Sequence, residues 1–147
     1  MSGWVNVETE LDDLAAWLAP LMPDGTTVTT DAAPEQLSGP TVVLNTVSAP
    51  RWGVPLASLG TAEWSVQATS IAWDPASGRS LPQQARYLGG QVAEAFAGTT
   101  ASGTYIRAMT LTGLHVLRRE TAGDATTSRG GRLWSTRETF TLTVTAT

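Results

Sequence analysis

The chain has 147 residues and a formal net charge of −4, with no cysteine, no lysine and one histidine. That inventory excludes disulfide scaffolds, thiolate chemistry, the usual zinc sites and a Walker phosphate loop. The acidic balance argues against nucleic acid as a bound target, and no apolar run reads as a membrane span or an export signal.

A hydrophobic content of 41% with six tryptophans supports one folded domain over residues 1–147, burying roughly two-thirds of its unfolded surface. Charge is unevenly spread. Residues 1–50 hold seven acids and no basic residue, which leaves nine arginines against six acids in the rest. A two-signed surface of this kind suits head-to-tail contacts between subunits, and a solvated acidic helix is the plainer reading.

Residues 8–19 predict a first helix. Thr9 and Asp12 have capping-box spacing, while Glu8, Glu10, Asp12 and Asp13 favour the positive end of the helix dipole. Leu11, Leu14, Ala15 and Leu18 form the buried stripe, and Pro20 and Pro23 end it. Asp12 and Asp13 are adjacent and point about 100° apart, so they read as capping and surface charges rather than paired catalytic carboxylates.

Residues 26–31 predict a short, Thr-rich edge strand around Val28. Residues 41–48 predict a stronger one inside the sheet, with Val42 and Leu44 on one face and Val43 and Val47 on the other. The loop at 49–60 is unusually apolar. Arg51, Trp52, Val54 and Leu56 read there either as a fold-back onto the core or as docking anchors.

In residues 61–71, Trp64, Val66 and Ala68 alternate with polar neighbours, the period of a half-buried strand. Asp74-Pro75-Ala76-Ser77-Gly78 is a turn. A helix is expected from Ser80, with Gln83 completing a capping box, Pro82 in its first turn and Gly98 as a left-handed C-terminal residue. Its stripe of Leu81, Ala85, Leu88, Val92 and Phe96 requires a sheet to pack against. Gly89-Gly90 inside that helix reads as a site of close approach or as simple tolerance.

Residues 104–120 and 133–147 predict a long final hairpin with a mobile Gly- and Thr-rich linker at 121–132. Pairing from Glu120 with Leu133 sets Met109 opposite Val144, Leu111 opposite Leu142 and Gly113 opposite Phe140. Such strands reach about 50 Å against about 25 Å for the covering helix, an overhang of roughly 20 Å. The outer part, with Leu117, Arg118, Arg119, Trp134 and Arg137, is then expected to be sheltered by a second copy. His115 faces Glu138 in this register, which reads as a cross-strand pair, since no nucleophile or third group converges on it. The expected class is α+β: a mixed, mostly antiparallel sheet of about five strands with two helices on one face. No enzyme is expected, and no catalytic residue, metal or cofactor is assigned.

The succession helix, three strands, helix and hairpin resembles the tail terminator (tail completion) proteins of long-tailed bacteriophages. The resemblance is carried by Asp12-Asp13-Leu14-Ala15-Ala16-Trp17-Leu18, the Pro34 loop, the strand beginning Pro40-Thr41-Val42-Val43-Leu44, Trp64-Ser65-Val66-Gln67-Ala68, the helix around Arg86-Tyr87-Leu88-Gly89-Gly90 and the Thr-rich close at Thr147. A Gly-Gly often found in the family after the second strand is replaced by Arg51-Trp52-Gly53. The resemblance implies a virion structural protein assembled in the host cytoplasm, a ring usually of six copies. Such a ring caps the head-proximal end of the tail tube and meets the head connector or stopper protein. DNA passes through its lumen without specific binding, and an acidic lining from Glu8, Asp12 and Asp13 is expected. The alternatives are a head-closure, other connector or tail-tube-like protein, or an unrelated small α+β binding module with its pocket under residues 49–60.

Overall fold

The computed structural model describes residues 6–49 and 61–146. Helix α1 (Val7–Leu18) and a 3-10 turn lead into strands β1 (Thr27–Thr30), β2 (Thr41–Ser48) and β3 (Ala62–Ile71). Helix α2 (Pro82–Ala97) follows, then β4 (Leu114–Thr121), β5 (Thr126–Gly130) and β6 (Leu133–Ala146). The sheet order is β1-β2-β3-β6-β4, with β5 also on β6; β1 and β2 are parallel and the other pairings antiparallel. This is the expected α+β class, with six strands.

Period-2 alternation decides which face is covered. Val42 and Leu44 of β2, Trp64, Val66 and Ala68 of β3 and Phe140, Leu142 and Val144 of β6 are buried under Leu11, Leu14 and Leu18 of α1 and Leu88, Val92 and Phe96 of α2. Three rings form a spine through this layer. Phe96 stacks on Phe140 at a centroid distance of 4.4 Å and meets Trp17 edge-on at 5.4 Å. Gln67, Thr69, Arg137, Thr139 and Thr141 fall on the opposite, polar face.

Both helices start differently from expectation. Asn6 caps α1, its side chain accepting from the Glu8 and Thr9 amides, so Thr9 and Asp12 form no capping box. Leu81 stands at the cap of α2 without a side-chain bond, Pro82 opens the helix, and Ser80 Oγ instead accepts from the Trp134 amide at 2.8 Å. Gly98 is extended, with φ −61°, rather than left-handed.

A C-terminal strand hairpin is present, β5 turning into β6 at Gly130 and Leu133, but the bounds and register expected for it require correction. Residues 104–113 are not a strand, and 126–130, expected as mobile linker, pair with β6 as β5. Val144 lies opposite Val116, seven residues beyond the expected Met109, and His115 faces Thr145 rather than Glu138. A bulge between Val116 and Arg118 then shifts the register again, setting Arg119 opposite Leu142. No ribbon overhangs. β3 pairs with β6 from Ser135 to Val144, while β5 and β4 share its other edge. The strand is buttressed within its own chain, so it supplies no argument that a second copy must shelter it.

Candidate functional site

The described residues contain no group of three or more His, Cys, Asp or Glu placed to hold a metal ion. No helix among them is long and apolar enough to cross a membrane. Among the described residues, the features to consider are an apolar cavity at one end of the sheet, a second cavity beside α2, and the side-chain clusters around α1 and Arg119.

The cavity lies at the end of the sheet where β2 begins and β3 ends. The 3-10 turn brings Pro23 to it, the residue before β2 brings Pro40, and the turn after β3 brings Trp73, Asp74 and Pro75. The first turns of α2 add Gln83, Gln84, Tyr87 and Leu88, enclosing about 440 Å³, within the usual range for ligand pockets. Thr26 Oγ1 and Gln84 Oε1 are buried in its walls without a hydrogen-bond partner among the described residues. Asp74 is held in place, its carboxylate accepting from the Ala76 amide at 3.0 Å and the Ser77 hydroxyl at 2.8 Å. Tyr87 is 62% exposed and Leu81, nearby on the chain, is also exposed, a costly placement for large apolar groups. Sequence reasoning missed this site because its lining comes from four separate turns. The alternative reading as a binding module places its pocket under residues 49–60, of which 50–60 lie outside the described residues.

The acidic helix is engaged within its own chain. Glu10, Asp13 and Trp17 sit on one face of α1 and hold residues 108–113. Gly113 N–H donates to Glu10 Oε1 at 2.7 Å, Thr112 N–H to Asp13 Oδ2 at 3.1 Å, and Trp17 Nε1–H to the Ala108 carbonyl at 2.7 Å. Asp12 accepts from the Thr30 hydroxyl at 3.1 Å. Burial pushes the Glu10 carboxyl above its ordinary range; the Gly113 bond pulls back and nearby Asp13 pushes the same way as burial. Of the residues expected to line an acidic lumen, Glu8 is exposed, while Asp12 and Asp13 bond to neighbouring segments.

Arg119, expected at a subunit interface, is buried at 7% exposure. Its guanidinium lies 4.0 Å from the Tyr105 ring centroid, and Nη2 donates to the Arg107 carbonyl at 2.7 Å. The Tyr105 hydroxyl accepts from the Arg119 amide at 2.8 Å and donates to the Arg119 carbonyl at 3.0 Å. Nη1 is buried without a partner among the described residues, and burial lowers the pKa, Tyr105 acting in the opposite direction. Bulging at Leu117 and the Tyr105 hydroxyl together occupy the outer edge of β4, which blunts strand-to-strand pairing there.

The other anchors named from sequence are dispersed. Leu117 and Arg118 are exposed on β4, with Arg118 paired to Glu120. Arg137 is exposed on the polar sheet face, and Trp134 is half-buried. Arg51, Trp52, Val54 and Leu56 lie outside the described residues. Glu138 falls on the helix-covered face, beside Gly89 and Gly90 of α2, in a second cavity of about 450 Å³. Burial raises its pKa, and Asp124 adds to the effect.

No protein-family model matches the chain, and no curated protein matches it.

Proposed function

We propose that the protein is a structural subunit of a phage tail, forming a closed ring that ends the tail tube and presents a surface to the head connector. The observation that carries this reading is the order of elements. A helix, three strands, a second helix and a closing strand set follow one another in the succession that the family resemblance implies, with both helices on one face. The apolar cavity bordered by exposed Tyr87 adds a surface suited to a protein partner. The role is non-catalytic. Its partners are further copies of the chain, the tail-tube protein and the head connector, with DNA crossing the lumen unbound.

Polymerisation of the tail-tube protein from the same phage tests this reading. Addition of the chain should arrest growth and leave tubes that carry a ring at one end. Tubes that incorporate the chain along their length favour a tube protein, and unaffected growth contradicts both.

A further inference from the structure

Helix α2 buries one face and leaves the other uncovered. Ala85, Leu88, Gly89, Val92, Ala95 and Phe96 are buried against the chain's own sheet and core. Gln83, Arg86, Tyr87, Gly90 and Glu94 are exposed, and at about 100° per residue they fall within a single stripe. Its charges are arranged symmetrically about Gly90. Arg86 lies four residues before that position and Glu94 four residues after it, roughly 6 Å along the axis in each direction. A Cβ at Gly90 meets nothing within 4 Å, so the middle of the stripe is open. Among the described residues neither Arg86 nor Glu94 has an ion-pair partner, and Glu138, which shares a cavity with Arg86, forms no pair with it. Tyr87, at 62%, is the most exposed of the large hydrophobic side chains described.

We propose that this face of α2 packs antiparallel against α2 of a second copy of the chain, across a two-fold axis beside Gly90. In such a pair, positions equally far before and after Gly90 meet one another. Arg86 then lies against Glu94 of the second copy, Glu94 against Arg86 of the second copy, and the Tyr87 ring reaches Ala93 of the second copy. A parallel pair would set Arg86 beside Arg86 and Glu94 beside Glu94, so the charges select the antiparallel orientation. The occupant is a second copy because the stripe is complementary to its own reverse. Packed helices run about 8–10 Å apart, and the short side of that range needs a small residue at the crossing, which Gly90 supplies. Exposed ion pairs contribute little singly, and here symmetry forms two of them while the Tyr87 ring is withdrawn from water twice. The contact is isologous, so it joins two copies or two rings and cannot itself close a ring. It stands independently of the ring reading above.

Disulfide linking tests this against a silent background, since the chain contains no cysteine. Gly90→Cys places one thiol beside the two-fold axis, where it meets its own counterpart. Treated with diamide at micromolar concentration, this variant should form linked dimers much faster than Ala32→Cys, an exposed position in the loop before β2. Arg86→Glu or Glu94→Arg, each added to Gly90→Cys, should slow linking about tenfold, because both symmetry-related pairs turn repulsive together. Mixing those two proteins should restore linking, since one offers two acidic groups and the other two basic ones at matching positions. Exchanging both charges within one chain should restore it as well. All the altered positions are exposed and outside the core. Linking no faster than that of Ala32→Cys overturns the proposal, as does a rate indifferent to either reversal or a mixture no faster than its components. Rings that form without the Gly90→Cys link overturn this contact and leave the ring reading standing. The link without rings supports the contact and overturns ring closure.

Discussion

Gly113 donates its backbone N–H to Glu10 Oε1 at 2.7 Å, which fastens the residue before β4 to helix α1 across 103 positions of sequence. A side chain at 113 would have to displace that carboxylate, because a Cβ built there lies 2.5 Å from the same oxygen. With the Asp13 and Trp17 bonds, this contact holds residues 108–113 against the helix and stands in for the strand pairing that the segment lacks.

The first prediction concerns Glu10 itself. Glu10→Ala leaves the Gly113 amide without its partner and should cost about 1–3 kcal/mol. Glu10→Gln keeps an acceptor and removes the titration. Burial holds the folded carboxyl above its ordinary value of 4.5, so folded Glu10 keeps its proton to higher pH than unfolded Glu10. Its contribution to stability is complete below about pH 4.5 and declines as pH rises through the folded value. The wild-type advantage over Glu10→Gln should therefore be greatest at low pH and shrink on raising it, read as urea midpoints across a pH series. Glu138 shifts in the same direction but is common to both proteins and cancels. An advantage that grows with pH contradicts the placement.

The two adjacent glycines of α2 should respond in opposite directions. A Cβ at Gly89 lies 2.6 Å from Thr136 Cγ2 and 3.0 Å from Thr136 Cβ, whereas one at Gly90 meets nothing within 4 Å. Gly90→Ala should stabilise by about 0.5–1 kcal/mol through helix propensity. Gly89→Ala should destabilise by about 1–3 kcal/mol, since the helix must move off β6. Thr136→Ser removes the obstructing methyl while keeping a hydroxyl for Thr127, 2.9 Å away, and should recover part of that loss. Thermal midpoints of the three variants and the Gly89→Ala/Thr136→Ser pair provide the check.

Tyr105 and Arg119 supply a third comparison. Tyr105→Phe removes the hydroxyl that serves both the amide and the carbonyl of Arg119 and should cost about 1–3 kcal/mol. Arg119→Met keeps the stem over the ring and removes a buried cation with no carboxylate partner among the described residues. Its midpoint should be unchanged or higher. A large loss on Arg119→Met would show that the guanidinium contributes more than its desolvation costs.

The elements read correctly from sequence are those whose own hydrophobic period decides their placement. Val42 and Leu44, Trp64, Val66 and Ala68, and Ala85, Leu88, Val92 and Phe96 all lie on the buried faces that their spacing assigns, while Leu81, read as the start of the same stripe, is exposed at the helix cap. The Asp74–Gly78 turn forms as its residues require, closed by the Gly78 amide on the Asp74 carbonyl at 2.8 Å. The error over residues 104–113 has a physical source. Tyr105, Arg107, Met109 and Leu111 alternate like a strand, but Trp17, Asp13, Glu10 and Arg119 satisfy backbone groups of this segment from outside any ladder. The bonds from Trp17, Asp13 and Glu10 span 91 to 103 residues and leave no local periodicity.

Register failed for a related reason. The expected pairing matched apolar residues across the hairpin, and that pattern cannot anticipate a bulge at Leu117 that exchanges which residues of β4 face inward. The cavity was likewise not legible, because Pro23, Pro40, Trp73 and Tyr87 are each ordinary turn or helix residues until the chain closes around them. Neither the hairpin nor the acidic helix retains the role expected of it. The case for assembly now rests on the succession of elements, with the cavity as its candidate contact.

Negative-stain electron microscopy of the purified protein, paired with its sedimentation mass over the micromolar range, tests that case most directly. Closed rings of uniform diameter are expected, with a mass that is an integral multiple, near six, of 15.5 kDa. A single 15.5 kDa species at every concentration, with no ring in the images, would contradict it.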